Sequence, residues 1–313
     1  MSKISTVSVF APASVANVGC GFDIMGFALR GIGDKVTVSL SENDGPDLLH
    51  NSGIFGHLLP REMEKNTAGV AVNAFLEATG NMDIRINIGL EKNLPLGSGL
   101  GSSASSAAAA LVAVNELLGN PLTREGLIPF AMESEKMASG SPHADNAAPS
   151  LLGGFILIRS YNPLDIIKIK CPDDLFCVVI HPHIQVRTSD ARRILKRDIP
   201  LNDVTRQNAN TAAFVTGLLR EDFDLIGRSM NDFLAEPKRI NLIPGFEKAK
   251  FAANKAGAIG CGISGSGPSV FALFRGENNG ENISMAIKES FLEAGLESDS
   301  YISSLNERGA YVI

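Results

Sequence analysis

The segment PLGSGLGSSASSAAAA, residues 95–110, places glycines and serines directly before a run of alanines. Alanine is the strongest helix former, and the run predicts a helix from about Ser102 to Leu118. The first backbone N–H groups of a helix lack partners within the helix and attract anions. Glycines have no Cβ and let the backbone approach a ligand closely. The segment therefore predicts a cradle for phosphate groups.

A plain strand-to-helix turn, with small residues for close packing, is the alternative interpretation of this segment. A Walker A loop is excluded because no lysine follows Gly101, and a Rossmann loop is excluded because Asn115 and Glu116 lie inside the predicted helix. A second glycine-rich loop, GCGISGSGPS at 260–269, favours a nucleotide site. Positive charge for a triphosphate must come from outside the first loop.

The composition is that of an ordinary soluble α/β protein. The 313 residues include 28 Lys and Arg against 34 Asp and Glu, a net charge of −6, and the basic residues form no run that could follow a nucleic-acid backbone. The four cysteines lack CxxC spacing, and the longest apolar run, 107–114, is too short to cross a bilayer. We therefore expect a cytoplasmic protein that binds neither nucleic acid nor membrane.

Hydrophobic periodicity predicts alternating strands and helices in two groups. The first group has strands at 5–10, 34–40 and 83–90 and helices at 66–80, 102–118 and 123–138, the last bent by Pro129. The second group has strands at 175–180, 269–274, 299–304 and 309–312 and helices at 189–197, 203–220, 222–234, 246–256 and 281–294. The length favours two domains, which we place at 1–165 and 166–313.

Three segments together resemble the GHMP kinases. PLGSGLGSSAS (95–105) resembles the ATP loop of that family, GISGSGPS (262–269) its C-terminal glycine motif, and APASVANVGCGFD (11–23) its N-terminal motif. The motifs stand in the family's order, and the resemblance extends over essentially the whole chain. It implies an α+β fold of two domains: an N-terminal domain like domain 2 of ribosomal protein S5, which carries the ATP loop, and a ferredoxin-like C-terminal domain.

Three further segments narrow the resemblance. SVANVGCGFDIMG (14–26), GSPHADNAAP (140–149) and AEPKRINLIPG (235–245) are similar to the GHMP kinases that phosphorylate L-homoserine. This implies transfer of a phosphoryl group from ATP to L-homoserine, a step toward threonine, in the cleft between the domains. We expect a homodimer. Two alternatives stay open: a GHMP kinase for another small alcohol, and a sensor of nucleotide or amino acid without catalysis.

The resemblance implies a nucleotide site with adenine in an apolar pocket near the first helix and Mg²⁺ beside the phosphates. Glu135 and the Ser103 hydroxyl match the family's metal-binding pair, and both offer the hard oxygen ligands that magnesium prefers. Glu133, two residues away on the same helix, is expected to be a solvated charge. The residues predicted to bind the nucleotide are Asn66, Pro95, Leu96, Gly97, Ser98, Gly99, Leu100, Gly101, Ser102, Ser103, Ala104 and Ser105.

Homoserine carries an ammonium, a carboxylate and a primary hydroxyl. Asp23 can accept the ammonium and Asn17 can bond the polar head, although a turn-stabilising role is the alternative for Asp23. By resemblance, Arg192 and Arg239 form the carboxylate clamp, because a guanidinium can bind a carboxylate through two parallel hydrogen bonds.

The loop after the third predicted helix supplies three more candidates. We assign Asn146 to orienting the hydroxyl and His143 to the carboxylate or phosphate region, and find too few further ligands for a metal site there. Phosphoryl transfer needs little early proton removal, so positioning without a general base can suffice. Asp145 stays open as a possible general base. The other predicted substrate contacts are Thr188 and Gly265. The predicted catalytic set is Glu135, Asp145, Asn146 and Arg239.

Overall fold

The computed structural model describes residues 5–41, 48–196, 198–306 and 308–313. The strands within these ranges are β1 (Thr6–Ala16), β2 (Met25–Leu40), β3 (Leu48–Ser52), β4 (Ile86–Glu91), β5 (Phe155–Tyr161), β6 (Leu164–Ile169), β7 (Leu175–Pro182), β8 (Gly260–Ile263), β9 (Val270–Arg275), β10 (Ser298–Asn306) and β11 (Tyr311–Val312). The helices are α1 (Thr67–Ala78), α2 (Ser102–Leu117), α3 (Ile128–Ser139), α4 (Ala147–Leu152), α5 (Thr188–Arg193), α6 (Leu201–Arg220), α7 (Phe223–Arg228), α8 (Glu236–Arg239), α9 (Phe246–Lys255) and α10 (Gly280–Glu293).

The strands join into one sheet whose main path runs β11, β1, β2, β10, β7, β9, β8. β4 pairs with β2 and, in parallel, with β3, whereas β5 pairs with the start of β2 and with β6. β10 connects the two halves of the sheet, because Leu305 pairs with Leu29 of β2 while Ser298–Ser304 pairs along β7. The functional cavity described below lies where the two halves meet.

The alanine run has a packing reason. Every residue of α2 from Ala104 to Asn115 is buried, because the helix packs between β1 and β2 on one side and α1, α3 and α4 on the others. A helix that is enclosed on all sides cannot carry long side chains, and alanine combines small volume with high helix propensity. The core therefore fixes α2, and with it the glycine-rich loop at its start.

Two further buried clusters complete the core. One lies between the halves of the sheet and includes stacked and edge-on rings of Phe27, Phe155, Phe214 and Phe271. The other lies beneath α9 and α10, against β7, β8 and β9. No helix in the described ranges combines the length and apolarity that a bilayer crossing requires.

Three sequence predictions differ from the structure. Pro129 does not bend α3 but occupies its first turn, where a missing N–H leaves no helical bond unmade. The helix predicted at 222–234 ends at Arg228, and it cannot extend to 234 because the Asp232 carboxylate accepts the backbone N–H groups of 234–236 before α8. The helix predicted at 189–197 is α5, which already ends at Arg193; residue 197 itself lies outside the described residues.

The predicted division between residues 165 and 166 falls inside β6, a strand that pairs with β5 along its length. The division into 1–165 and 166–313 stays a prediction.

Candidate active site

A cavity of about 330 Å³ opens where the two halves of the sheet meet. It is bounded by the loop after β1, the first glycine-rich loop, α3, the start of α5 and the second glycine-rich loop. The predicted site residues that line it are Asn17, Asp23, Leu96, Gly97, Ser98, Gly99, Gly101, Ser102, Ser103, Glu135, His143, Asp145, Asn146, Thr188, Arg192, Arg239 and Gly265. Pro95, Leu100, Ala104, Ser105 and Asn66 are outside this lining.

The first glycine-rich loop has a backbone that only glycine adopts without strain. Gly97, Gly99 and Gly101 have φ angles of 62°, 78° and 63°. Gly101 is the N-cap of α2, and a Cβ there would lie 2.1 Å from Ser14 Oγ and 2.8 Å from Asn146 Oδ1. The shape of the loop therefore depends on the close approach of Ser14 and Asn146, which leaves no room for a Cβ at Gly101.

The second glycine-rich loop braces the first. The Ser264 hydroxyl donates to the Gly99 carbonyl at 2.6 Å, and the Ser269 backbone N–H donates to the Ser98 carbonyl at 3.0 Å. A Cβ at Gly99 would lie 2.4 Å from the Ser264 carbonyl oxygen. The second loop thus holds the first in place through one side-chain and one backbone hydrogen bond to its carbonyl groups.

A buried ion pair lies beneath the first turn of α2. The Lys92 ammonium, 2% exposed, donates to Asp34, to the Ser102 carbonyl at 2.6 Å and to the Ser106 hydroxyl at 2.9 Å. The other Asp34 oxygen accepts the backbone N–H groups of residues 93 and 94. Burial lowers the pKa of Lys92, and Asp34 opposes that shift. All these groups are satisfied, so the pair fixes the start of α2.

The predicted metal pair is in contact. Ser103 Oγ donates to Glu135 Oε1, and Glu135 is 7% exposed, whereas Glu133 is half exposed and faces Lys136 at 3.4 Å. Burial raises the pKa of Glu135, while the Ser103 hydrogen bond and Lys92 oppose that shift. No group of three His, Cys, Asp or Glu in the described part of the chain could hold a metal alone. The donor set fits an ion that takes its remaining oxygen ligands from water and phosphate, as magnesium does.

An ion pair occupies the other end of the cavity. Arg192 Nη2 donates to both oxygens of Asp23, at 2.8 and 3.0 Å. His143 Nδ1 lies 4.0 Å from Asp23, and burial lowers the pKa of His143 although Asp23 opposes it. The buried His143 Nε2 and Arg192 Nε have no hydrogen-bond partner among the described residues. Buried polar atoms are rarely left unpaired, so this end is built to receive a polar ligand.

The loop between β1 and β2 holds its two predicted ligands under strain. Asn17, Val18 and Asp23 have φ angles of 69°, 45° and 59°, which non-glycine residues rarely adopt. Asn17 Oδ1 accepts the Asp23 backbone N–H at 2.9 Å. Such strain clusters at functional sites, where surrounding structure enforces it.

The Gly265 carbonyl anchors two predicted substrate residues. It accepts Asn17 Nδ2 and Arg239 Nη1, each at 2.8 Å. Arg239 is 3% exposed, and its guanidinium carbon lies 5.3 Å from the Phe22 ring centre. The Gly265 carbonyl therefore positions Asn17 and Arg239; direct contact of Gly265 with the substrate stays a prediction.

Asp145 is buried beside two other acids. Burial, followed by the charges of Asp23 and Glu135, raises its pKa to about 8. Asp145 is therefore mainly protonated at neutral pH in the ligand-free protein. Asn146, the next residue, accepts the Ser14 hydroxyl through Oδ1 at 2.9 Å and faces the cavity.

Asn66 does not reach the cavity. Its Oδ1 accepts the Ala68 N–H at 3.0 Å as the N-cap of α1, and its Nδ2 donates to the Pro60 carbonyl. Thr67 and Leu59 line the cavity instead. The sequence analysis also missed Lys92, Gln185 and Arg187, which line it as well. Only Arg187 carried a usable signal, since it directly precedes the predicted Thr188.

Comparison with known proteins identifies the family of the chain. The sequence model of the GHMP kinase N-terminal domain matches residues 66–154, and that of the GHMP kinase C-terminal domain matches 214–293. Homoserine kinase of Chlorobaculum tepidum is 49% identical over 99% of both chains, and that of Chloroherpeton thalassium is 50% identical over 98% of this chain and 99% of its own. The crystal structure of homoserine kinase from Cytophaga hutchinsonii superposes with a TM-score of 0.95 at 48% identity, covering 100% of this chain and 99% of its own.

The chain belongs to the GHMP kinases, a family of ATP-dependent small-molecule kinases. Within that family it belongs with the homoserine kinases, as the full-length identity shows. The resemblance inferred from the motifs at 11–23, 95–105 and 262–269 is confirmed.

Proposed function

We propose that this chain transfers the terminal phosphoryl group of ATP to the side-chain hydroxyl of L-homoserine, forming O-phospho-L-homoserine on the route to threonine. The name of its relatives supports the substrate. The observation that supports this function most strongly is the Asp23–Arg192 ion pair, which lies in the same cavity as the first glycine-rich loop. A zwitterionic amino acid can replace this pair, its ammonium at Asp23 and its carboxylate at Arg192 and Arg239, without leaving either charge unpaired.

The end of the cavity formed by the first glycine-rich loop is the proposed phosphate site. The backbone N–H groups of 97–103 bind the phosphates, and Glu135 with Ser103 would hold Mg²⁺ against them. A bound magnesium ion neutralises charge that develops on the phosphate oxygens. Asn146 lies between Ser14 and the cavity and orients the acceptor hydroxyl. Thr188, whose Oγ1 lies 3.4 Å from Ser266 Oγ, contacts the substrate or the phosphate.

Asp145→Asn is expected to lower kcat less than about 10-fold at pH 7, because asparagine resembles the protonated carboxyl; a general base contributes roughly 10²–10⁴. In the wild type, kcat/KM for ATP should fall above pH 8, where Asp145 becomes an anion near the phosphate site, and the variant should lack that fall. Pre-steady-state and pH-rate measurements check both. A kcat loss of 10²-fold or more at pH 7 would instead identify Asp145 as the base.

The same variant has a stability signature. The Asp145 carboxyl loses its proton near 3.8 in the unfolded chain and near 8 in the folded one. Its stabilising contribution is complete below 3.8 and is lost as the pH rises through 8. Urea unfolding should therefore show the wild type losing stability relative to Asp145→Asn across that range.

Arg239→Ala is expected to raise the KM for homoserine roughly 10- to 100-fold, since hydrogen bonds to a charged group are lost. The KM for ATP should change little, because Arg239 lies at the Asp23 end of the cavity. Arg193→Ala is the matched control, because Arg193 is 80% exposed and pairs only with Asp190 at 3.0 Å among the described residues. Steady-state kinetics with each substrate varied in turn provide the test; an unchanged homoserine KM would remove Arg239 from the clamp.

The substrate assignment is tested by ADP release with homoserine, mevalonate and galactose, and with homoserine analogues that lack the ammonium or the carboxylate. Of the three substrates, we expect turnover with homoserine only. The analogues that lack the ammonium or the carboxylate should react much more slowly. Turnover with mevalonate or galactose but not with homoserine would establish the rival alcohol kinase. Absence of turnover with ATP, Mg²⁺ and homoserine would favour the sensor. The homodimer and the cytoplasmic location stay predictions, the former open to light scattering.

A further inference from the structure

We propose that Arg187 binds the terminal phosphate of ATP and supplies the positive charge that the first glycine-rich loop lacks. The assignment of the terminal phosphate as the group transferred rests on the proposed function; the phosphate contact itself does not.

The segment before α5 lies along the first glycine-rich loop. The Val186 backbone N–H donates to the Gly97 carbonyl at 3.2 Å, and Gln185 packs so closely that a Cβ at Gly97 would lie 2.6 Å from Gln185 Cγ. Arg187 follows directly, is exposed, and lines the same cavity as Gly97 and Glu135. The Arg187 side chain therefore begins at the end of the cavity that the first glycine-rich loop forms.

The other lysine and arginine side chains of the cavity already have ion-pair or hydrogen-bond partners. Lys92 is paired with Asp34, and Arg192 with Asp23. Arg239 is buried and donates to the carbonyls of Gly265 and Ala191. Within the described ranges, Arg187 has no carboxylate within 4 Å and no hydrogen bond of its side chain. Among the described residues that line the cavity, Arg187 is the arginine whose side chain has neither a carboxylate partner nor a hydrogen bond, so it is available to a polyphosphate.

The chemistry suits arginine. In the transfer, the bond between the γ-phosphorus and the bridging oxygen breaks, the bond to the homoserine hydroxyl oxygen forms, ADP leaves with the bridging oxygen, and the hydroxyl proton is released to solvent. Negative charge spreads over the three outer oxygens of the phosphoryl group as it moves. A planar guanidinium donates two parallel hydrogen bonds to such oxygens and keeps its own protons throughout.

The test compares Arg187→Ala and Arg187→Lys with Arg193→Ala, an exposed arginine of α5 outside the cavity lining. Affinities for ADP and for the β,γ-methylene analogue of ATP are measured by calorimetry, and kcat with homoserine. For Arg187→Ala we expect roughly 10- to 100-fold weaker binding of the analogue with ADP affinity changed less than about 2-fold. We expect kcat to fall about 10²-fold. Arg187→Lys should recover only part of the lost analogue affinity and kcat, because an ammonium lacks the planar, two-pronged donor geometry of a guanidinium.

Added guanidinium ion should raise the turnover of Arg187→Ala and not that of Arg193→Ala, a response that a merely structural role would not produce. Equal weakening of ADP and analogue, or kinetics matching Arg193→Ala, overturns the proposal. If the wild type fails to phosphorylate homoserine while Arg187→Ala still loses the analogue selectively, the proposed function fails and the phosphate contact stands.

Discussion

Glu135→Gln is expected to lower kcat by roughly 10²- to 10³-fold and to raise the Mg²⁺ concentration needed for half-maximal activity. Glutamine keeps the shape of the side chain and can still accept the Ser103 hydroxyl, but it removes the negative charge that a divalent cation needs. Steady-state rates measured across a Mg²⁺ titration, at saturating ATP and homoserine, check both effects.

Glu133→Gln is the matched control. Glu133 lies on the same helix, two residues away, with a half-exposed side chain that contacts Lys136. We expect its kcat and its Mg²⁺ dependence to equal those of the wild type. If the two glutamine variants behave alike, Glu135 is not a magnesium ligand, and the metal must be held elsewhere.

Lys92→Met is expected to lower the free energy of unfolding by about 3–5 kcal/mol, because it leaves the buried Asp34 carboxylate without its cation. Equilibrium urea unfolding measures the change. Lys35→Met serves as control: Lys35 lies 4.0 Å from Glu91 at the surface, and loss of such a pair should cost under about 1 kcal/mol.

The double variant Lys92→Met/Asp34→Asn separates charge from shape. Asparagine can still accept the N–H groups of residues 93 and 94 while carrying no charge, so most of the lost stability should return. In both Lys92→Met and the double variant we expect a raised KM for ATP, because the Ser102 carbonyl at the start of α2 has lost its ammonium donor. Full recovery of both stability and KM would show that the pair does not position the phosphate loop.

The first glycine-rich loop and the helix after it were predictable from the sequence because their causes are local. Alternating glycines permit the positive φ angles that the loop has, and the alanine run has high helix propensity, although its complete burial depends on the elements around it. Glu135 and Arg192 could be placed through the motifs around them, which the resemblance supplied, and not from their spacing alone. Their surroundings in the structure agree with those assignments without testing them.

What the sequence could not show depends on tertiary contacts. Lys92 follows β4 as an ordinary charge, and its burial appears only when β2 brings Asp34 beneath α2. Asn66 is a different case: it was predicted to bind the nucleotide, whereas its Oδ1 caps α1 by accepting the Ala68 N–H, and asparagine directly before a predicted helix is a local signal for such a cap. The helix predicted at 222–234 was too long because periodicity does not reveal that the Asp232 carboxylate accepts the N–H groups of the three residues 234–236.

The position of β10 in the sheet affects how the protein folds during synthesis. Residues 298–306 are synthesised after β1 to β9, yet they form the strand between β2 and β7. Until they emerge, each half of the nascent protein exposes an unpaired backbone edge that can stick to other chains. The two halves of the sheet, and the cavity where they meet, are therefore joined only after β10 has been synthesised, so a chain that ends before residue 298 should expose two unpaired strand edges and aggregate.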